Sequence, residues 1–292
     1  MFKSFIDWLD SYISREEPSS ILKAMVGLMA FAGLLGTIFG NQAIRVGAFV
    51  VVIVFVVSLM LLLLADRRRL RRAYDTHRDL LARYCDFVID NSSQPLVSIE
   101  TWTQTVYIQR NGDVREVLTL KAVALREEVY FLRLKSGCRW DQPEKYRRDV
   151  KVIARSLTVN GVSGPKWNVT NTWISAQKLT SILHLHQAIR RGEEILFEVV
   201  RTWPAKCLPM MRNEQGEDFS FRTTGLLEIQ HVDYSVVLPL GLDAVYEPIG
   251  ATDPQVQLSI ETRHDQEGRR VFVWHADKVP TFKAVGIRLE LK

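Results

Sequence analysis

The spacing of hydrophobic positions changes three times along this chain, and each change marks a different kind of element. Phe2, Phe5, Ile6, Leu9, Tyr12 and Ile13 recur at helical spacing, with Lys3, Asp7, Asp10 and Arg15 elsewhere on the wheel. Residues 1–17 therefore predict an amphipathic helix lying in a membrane interface, with Pro18 and Ser19-Ser20 ending it. Polar positions then nearly vanish: Ala24–Phe39 and Val46–Ala65 are runs of sixteen and twenty uncharged residues. About twenty apolar residues at 1.5 Å rise span a hydrocarbon core of roughly 30 Å. Only Gly40-Asn41-Gln42-Ala43-Ile44-Arg45 separates the two runs, so residues 21–65 predict a two-span transmembrane hairpin. A cleaved signal peptide and a buried helical pair are the alternatives. The late start of the first run and the longer run behind it speak against the signal peptide.

Beyond the second run, Leu70, Tyr74, His77, Leu81, Tyr84 and Val88 step by fours and threes, a heptad-like seam over residues 66–91. Two readings of this basic juxtamembrane stalk stay open: a helix that continues the second span and packs on the soluble part, or a signalling stalk that couples the two. On the first run, Ala32, Gly36 and Gly40 recur every four residues and would let helix backbones approach closely, either within the hairpin or between copies in a homo-oligomer.

From residue 95 onward the period turns towards two. Runs at Trp102–Gln109 and Val114–Leu125 flank Asn111-Gly112-Asp113, a hairpin turn. Further strands are expected at Glu128–Leu134, Val150–Val159, Trp167–Ile174, Ile195–Trp203, Phe219–Gln230, Val232–Leu238, Val256–Thr262, Arg270–Trp274 and Gly286–Leu291. One helix is expected in Gln142–Ala154 or Ala176–Ile189. The fold class predicted is thus a membrane α-helical hairpin followed, over residues 95–292, by a mainly antiparallel β-sandwich or barrel. A division into two sub-domains would fall at Pro204–Gly216.

Charge sharpens the topology. The 292 residues carry a formal charge of +5 and a pI near 9.1, which alone would suggest nucleic acid. Residues 1–65 are neutral, residues 66–78 carry net +4, and the remainder carries net +1. Basicity concentrated at Arg67, Arg68, Arg69, Arg71 and Arg72, beside an apolar run, is a positive-inside and lipid head-group signal, and genomic nucleic acid is not an expected partner. Both termini and the β domain are then cytoplasmic at an inner, plasma-type membrane. Cys85, Cys138 and Cys207 show no paired spacing, as suits a reducing compartment.

Candidate chemistry is sparse. No nucleophile elbow, P-loop or Gly-x-Gly-x-x-Gly occurs, so the sequence predicts neither an enzyme nor a cofactor. His184-Leu-His186 puts two imidazoles on one strand face without a third ligand in sequence, so no metal is expected. If Gln142–Ala154 were helical, Arg147, Arg148, Lys151 and Arg155 would line one face near Trp140. Guanidinium forks beside an aromatic suit a small anionic ligand such as a nucleotide; the alternative is a solvated face turned to the inner leaflet.

The order of parts (short N-terminal segment, two-span hairpin, arginine-rich exit, cytosolic β domain) resembles the two-transmembrane, β-rich effectors of bacterial cyclic-oligonucleotide anti-phage defence. The resemblance implies a β domain that binds a nucleotide signal and spans that oligomerise and perturb the inner membrane. The function expected is a membrane-anchored sensor or effector, the alternative a non-enzymatic, membrane-tethered scaffold or assembly factor.

Overall fold

The computed structural model describes residues 41–90, 94–158, 161–222, 229–250, 257–279 and 283–292. The first element, α1, is one helix over Asn41–Asp90. It corrects the two-span hairpin. Asn41–Arg45, expected to turn, is helical and continuous with the second apolar run, because Gln42, Ala43 and Arg45 are good helix formers and no proline interrupts them. Among the described residues α1 is the single helix long and apolar enough to cross a membrane, and none of its apolar stretch is buried. The interfacial helix expected at residues 1–17, the first apolar run and the ridge of Ala32, Gly36 and Gly40 lie outside the described residues.

The chain divides into two compact units, residues 1–77 and 78–292. The second contains the last turns of α1, where Ala82 and Cys85 are buried. Leu81 and Tyr84, on the heptad-like seam, are exposed there. The buried side of this segment is thus the small-residue side, where Ala82 and Cys85 admit close approach.

Thirteen strands follow among the described residues: β1 (Val97–Ile108), β2 (Val114–Ala124), β3 (Glu128–Gly137), β4 (Lys151–Leu157), β5 (Ser163–Trp173), β6 (Lys178–Arg190) and β7 (Glu194–Trp203), then β8 (Glu217–Arg222), β9 (Ile229–Val237), β10 (Ala244–Ile249), β11 (Gln257–His264), β12 (Arg270–Val279) and β13 (Ala284–Leu291). Two short helices, α2 (Glu144–Arg148) and α3 (Leu208–Met211), interrupt them. Ten strands form one sheet in the order β11-β12-β9-β1-β2-β7-β4-β5-β6-β3, and β10-β13-β8 form a second. The β-rich expectation holds, but the large sheet is mixed: β1 runs parallel to β9 while its other pairings are antiparallel.

Alternation along the strands sets the layers. In β9 the even positions Val232, Tyr234 and Val236 are buried, and in β12 so are Phe272, Trp274 and Ala276. They share one core cluster with Phe219 of β8 and Val285, Ile287 and Leu289 of β13, so the small sheet packs on this face of the large one. Trp274 Nε1 donates to the Phe219 carbonyl at 3.1 Å, and Trp102 meets Phe221 edge-on at 4.7 Å between centroids. The odd positions of β9 and β12 point to the opposite face.

Strands from both sides of Pro204–Gly216 share the large sheet, and Cys207 and Met210 of that segment enter the main core. The Asn111-Gly112-Asp113 turn is pinned to it: Ala205 N–H donates to Asp113 Oδ1 at 2.7 Å, and Cys207 N–H to the Gly112 carbonyl at 2.9 Å. Gly112 has φ +82°, and a Cβ there would stand 2.5 Å from Leu208 Cα. Gly112→Ala is therefore expected to cost roughly 2 kcal/mol, from strain and close approach together. Gly161→Ala, at φ +74° with nothing within 4 Å among the described residues, should cost only the strain, roughly 1 kcal/mol. Denaturant melts of both variants in detergent micelles check the ordering; equal costs would remove the close-approach term.

Candidate functional site

The residues of the expected anion site are not gathered on one helix face. Pro143 opens α2 and Asp149 closes it after five residues, and the following β-branched residues extend as β4, which carries Lys151 and Arg155. Trp140 Nε1 donates to the Lys206 carbonyl at 2.9 Å, and its ring meets Tyr146 edge-on at 6.3 Å. Arg147 lies over the Trp173 ring at 5.7 Å. Arg148 pairs with Glu144, and Arg155 Nε lies 3.4 Å from Glu198. Lys151 is exposed at the start of β4. Arg67, Arg68, Arg69 and Arg71 are exposed on α1, and Arg72 belongs to the same helical stretch.

His184 faces Thr170 Oγ1 at 2.8 Å, and burial lowers its pKa. His186 is exposed two residues on.

A different group of side chains converges on the outer face of the large sheet. Two His-x-Asp sequences, His231-Val232-Asp233 in β9 and His275-Ala276-Asp277 in β12, run antiparallel in a register that sets His275 opposite Asp233 and Asp277 opposite His231. Period-two geometry puts all four on one face. The side chains alternate as a chain: Asp277 Oδ1 lies 2.5 Å from His231 Nδ1, His231 Nε2 lies 3.1 Å from Asp233 Oδ2, and Asp233 Oδ1 contacts His275 Nδ1. The hydrogen bond to Asp277 raises the pKa of His231; burial opposes it, and the charges of Asp233 and Asp277 add to the rise. One donor atom each from His231, Asp233 and His275 lie within 4.8 Å of one another, and all three residues are half-buried. β12 lies between β11 and β9, and β9 between β12 and β1, so both backbones are held from two sides. The sequence signal was the repeated His-x-Asp, legible only once the β9–β12 register pairs the two copies.

A second polar group is sealed in the core. Glu116 of β2 pairs with Arg201 of β7 and with Lys206, and a separate buried run joins Trp102 to Gln104 and Gln104 to Tyr234 through hydrogen bonds of 3.0 and 3.2 Å. Burial alone would push Glu116 up, but the adjacent Lys206 and Arg201 hold it at about 2. Glu217, at the start of β8, is pushed by burial up to about 7. Burial also raises the thiols of Cys138, to about 11, and Cys207, which keeps both protonated and unreactive at neutral pH.

No protein-family model and no curated protein matches this chain. Among solved structures it is similar to a putative protease from Parabacteroides distasonis ATCC 8503, at 11% identity over 66% of this chain and 39% of that one, TM-score 0.41. It is also similar to an M1 zinc metallopeptidase from Deinococcus radiodurans, at 15% identity over 68% and 43% and TM-score 0.37. A third is a putative nutrient binding protein from Legionella pneumophila subsp. pneumophila str. Philadelphia 1, at 8% identity over 68% of each chain and TM-score 0.38. The chain spans well under half of the first two. The expectation of a non-enzyme is withdrawn on this finding, since two of the three carry protease or peptidase names. Likeness at this level assigns no activity here either, and the sequence holds no His-Glu-x-x-His.

Proposed function

We propose that the protein is a membrane-anchored binding protein in which α1 fixes the chain in a bilayer, the arginines at 67–72 keep the helix exit on the cytoplasmic side, and the β unit binds a ligand or partner there. One observation carries this reading. α1 is uninterrupted from its unburied apolar stretch, past the exposed arginines, to a last segment seated on the β unit. In that segment Ala82 and Cys85 are buried and Asp86 Oδ1 meets Arg133 Nη1 of β3 at 2.7 Å. The arginine cluster sets sidedness because short flanking segments rich in Lys and Arg are retained in the cytoplasm.

The expected result is that the full chain stays with membranes through alkaline carbonate extraction and that a reporter enzyme fused after Lys292 is active only as a cytoplasmic reporter. Release into the carbonate supernatant, or activity of an export-dependent reporter at the same position, overturns the proposal. Native mass spectrometry of the full chain released from membranes then reads the class of occupant, a small anionic ligand or a protein partner, from the added mass.

A further inference from the structure

We propose that the two His-x-Asp strands form a binding site for a divalent first-row transition-metal ion of the zinc class, with His231, Asp233 and His275 as ligands and Asp277 as the carboxylate that positions His231. The proposal goes beyond the reading of a membrane-anchored binding protein and does not depend on it.

The donor set selects the ion. Two imidazoles and one carboxylate suit zinc and its neighbours, whereas calcium and magnesium take oxygen ligands. Three protein ligands on a half-exposed face leave a fourth position open to water or to a ligand atom, the arrangement of zinc sites that exchange a ligand. With metal–ligand distances of about 2.0–2.1 Å, tetrahedral donors stand roughly 3.3 Å apart. His231 Nε2 and Asp233 Oδ2 already stand 3.1 Å apart, and the widest separation among the three donors is no more than 4.8 Å. Side-chain rotation can close that gap without moving the sheet.

Asp277 supplies the independent observation. It lies 2.5 Å from His231 Nδ1, so Nδ1–H is engaged and the opposite nitrogen, Nε2, is the one presented beside Asp233. A carboxylate behind the imidazole is the usual means by which a protein fixes the tautomer and ring direction of a metal-binding histidine. The placement is rigid because β9 and β12 are both interior strands of the ten-stranded sheet. A solvated ion-pair ladder would need charge only. It would not need a carboxylate addressing Nδ1 of the same imidazole whose Nε2 faces the other ligands.

Chelator-treated full chain in detergent micelles is titrated with Zn2+ by calorimetry at near-neutral pH and with Co2+ by visible absorption. Wild type is expected to bind one equivalent of Zn2+, with Mg2+ and Ca2+ failing to compete. His231→Ala and His275→Ala should each weaken binding by at least about 100-fold, and Asp277→Asn by about 10–100-fold with a shifted Co2+ spectrum. His186→Ala, on a different strand, should bind as wild type does. The four side chains face outward, so the variants should keep the wild-type circular dichroism and melting profile in chelator. The proposal is overturned if the double variant His231→Ala/His275→Ala binds Zn2+ as wild type does, if Ca2+ competes on equal terms, or if His186→Ala abolishes binding. Loss of the membrane anchor or of cytoplasmic sidedness would leave these titrations unchanged, so the two proposals fail separately.

Discussion

Replacing Glu116 with alanine is expected to destabilise the β unit by about 3–5 kcal/mol, because it leaves two buried cations facing each other without their counter-charge. The side chains of Glu116, Arg201 and Lys206 are 2%, 6% and 7% exposed, so water cannot replace the lost carboxylate. Its pH dependence has a fixed sign. The folded-state pKa is about 2 against an ordinary 4.5, so the unfolded chain takes up the proton first. The contribution is fully present above pH ~4.5 and is lost as pH falls towards ~2, and at about 1.36 kcal/mol per unit it is of the order of 3 kcal/mol. Lys206, whose pKa is raised by Glu116 against the pull of burial, is the other end of the same pair and adds no second contribution. Denaturant midpoints of the full chain in micelles, read by tryptophan fluorescence between pH ~2 and ~6, check this. A second variant separates charge from volume: the triple change Glu116→Leu, Arg201→Met and Lys206→Met should come within about 1 kcal/mol of wild type, since a buried ion cluster is often replaceable by packed apolar groups. A Glu116→Ala cost below about 1 kcal/mol would mean that the cluster is hydrated and holds nothing together.

This cluster also marks where sequence reading stops. Alternating strands such as Val114–Ala124, with every second residue buried, were legible because one face meets the core and the other meets water. β6 was not. Leu179, Ile182, Leu183, Leu185 and Ile189 fall at helical spacing, yet residues 179–183 are buried without alternation, as in a strand covered on both faces. β10 escaped because Pro248 reads as a strand breaker; it is tolerated on this edge strand of the three-stranded sheet. For α1, the twenty-residue apolar run predicts a helix long and apolar enough to cross a membrane, but the expectation of a turn at Gly40–Arg45 rests on its place between two apolar runs rather than on turn chemistry. For the sites, Glu116, Arg201 and Lys206 are unremarkable in sequence; the β2–β7 register sets Glu116 opposite Arg201, and the segment after β7 brings Lys206 to the same carboxylate. The His-x-Asp pair is the same case on the outer face. Residues that act together across a sheet are set by pairing, which single-strand patterns do not encode.

Glu217 should give the opposite pH response from Glu116, because burial outweighs the pull of the same lysine. Glu217 is 3% exposed, and burial raises its pKa to about 7, with Lys206 pulling down and Asp218 pushing up. A carboxyl whose folded pKa lies above its unfolded value binds its proton more tightly in the folded chain. Stability therefore falls as pH rises from ~4.5 through ~7, by of the order of 3 kcal/mol from about 1.36 kcal/mol per unit. Glu217→Gln removes the ionisation and keeps an oxygen for the Arg139 backbone N–H that the carboxylate accepts. The variant should match wild type near pH ~4, exceed it by about 2–3 kcal/mol near pH ~8, and lack this carboxyl's descending limb between. Wild-type stability should then peak where the two windows meet, near pH ~4.5, above the range in which Glu116 protonates and below the one in which Glu217 ionises. Lys206 links the two responses, since it lowers both glutamates. Lys206→Met is expected to raise both folded-state values, which narrows the Glu116 window from below and extends the Glu217 window upward, while the peak stays near the shared unfolded value of ~4.5. A Glu217→Gln profile parallel to wild type across pH ~4–8 would place this carboxyl in contact with water and leave the descending limb to other groups.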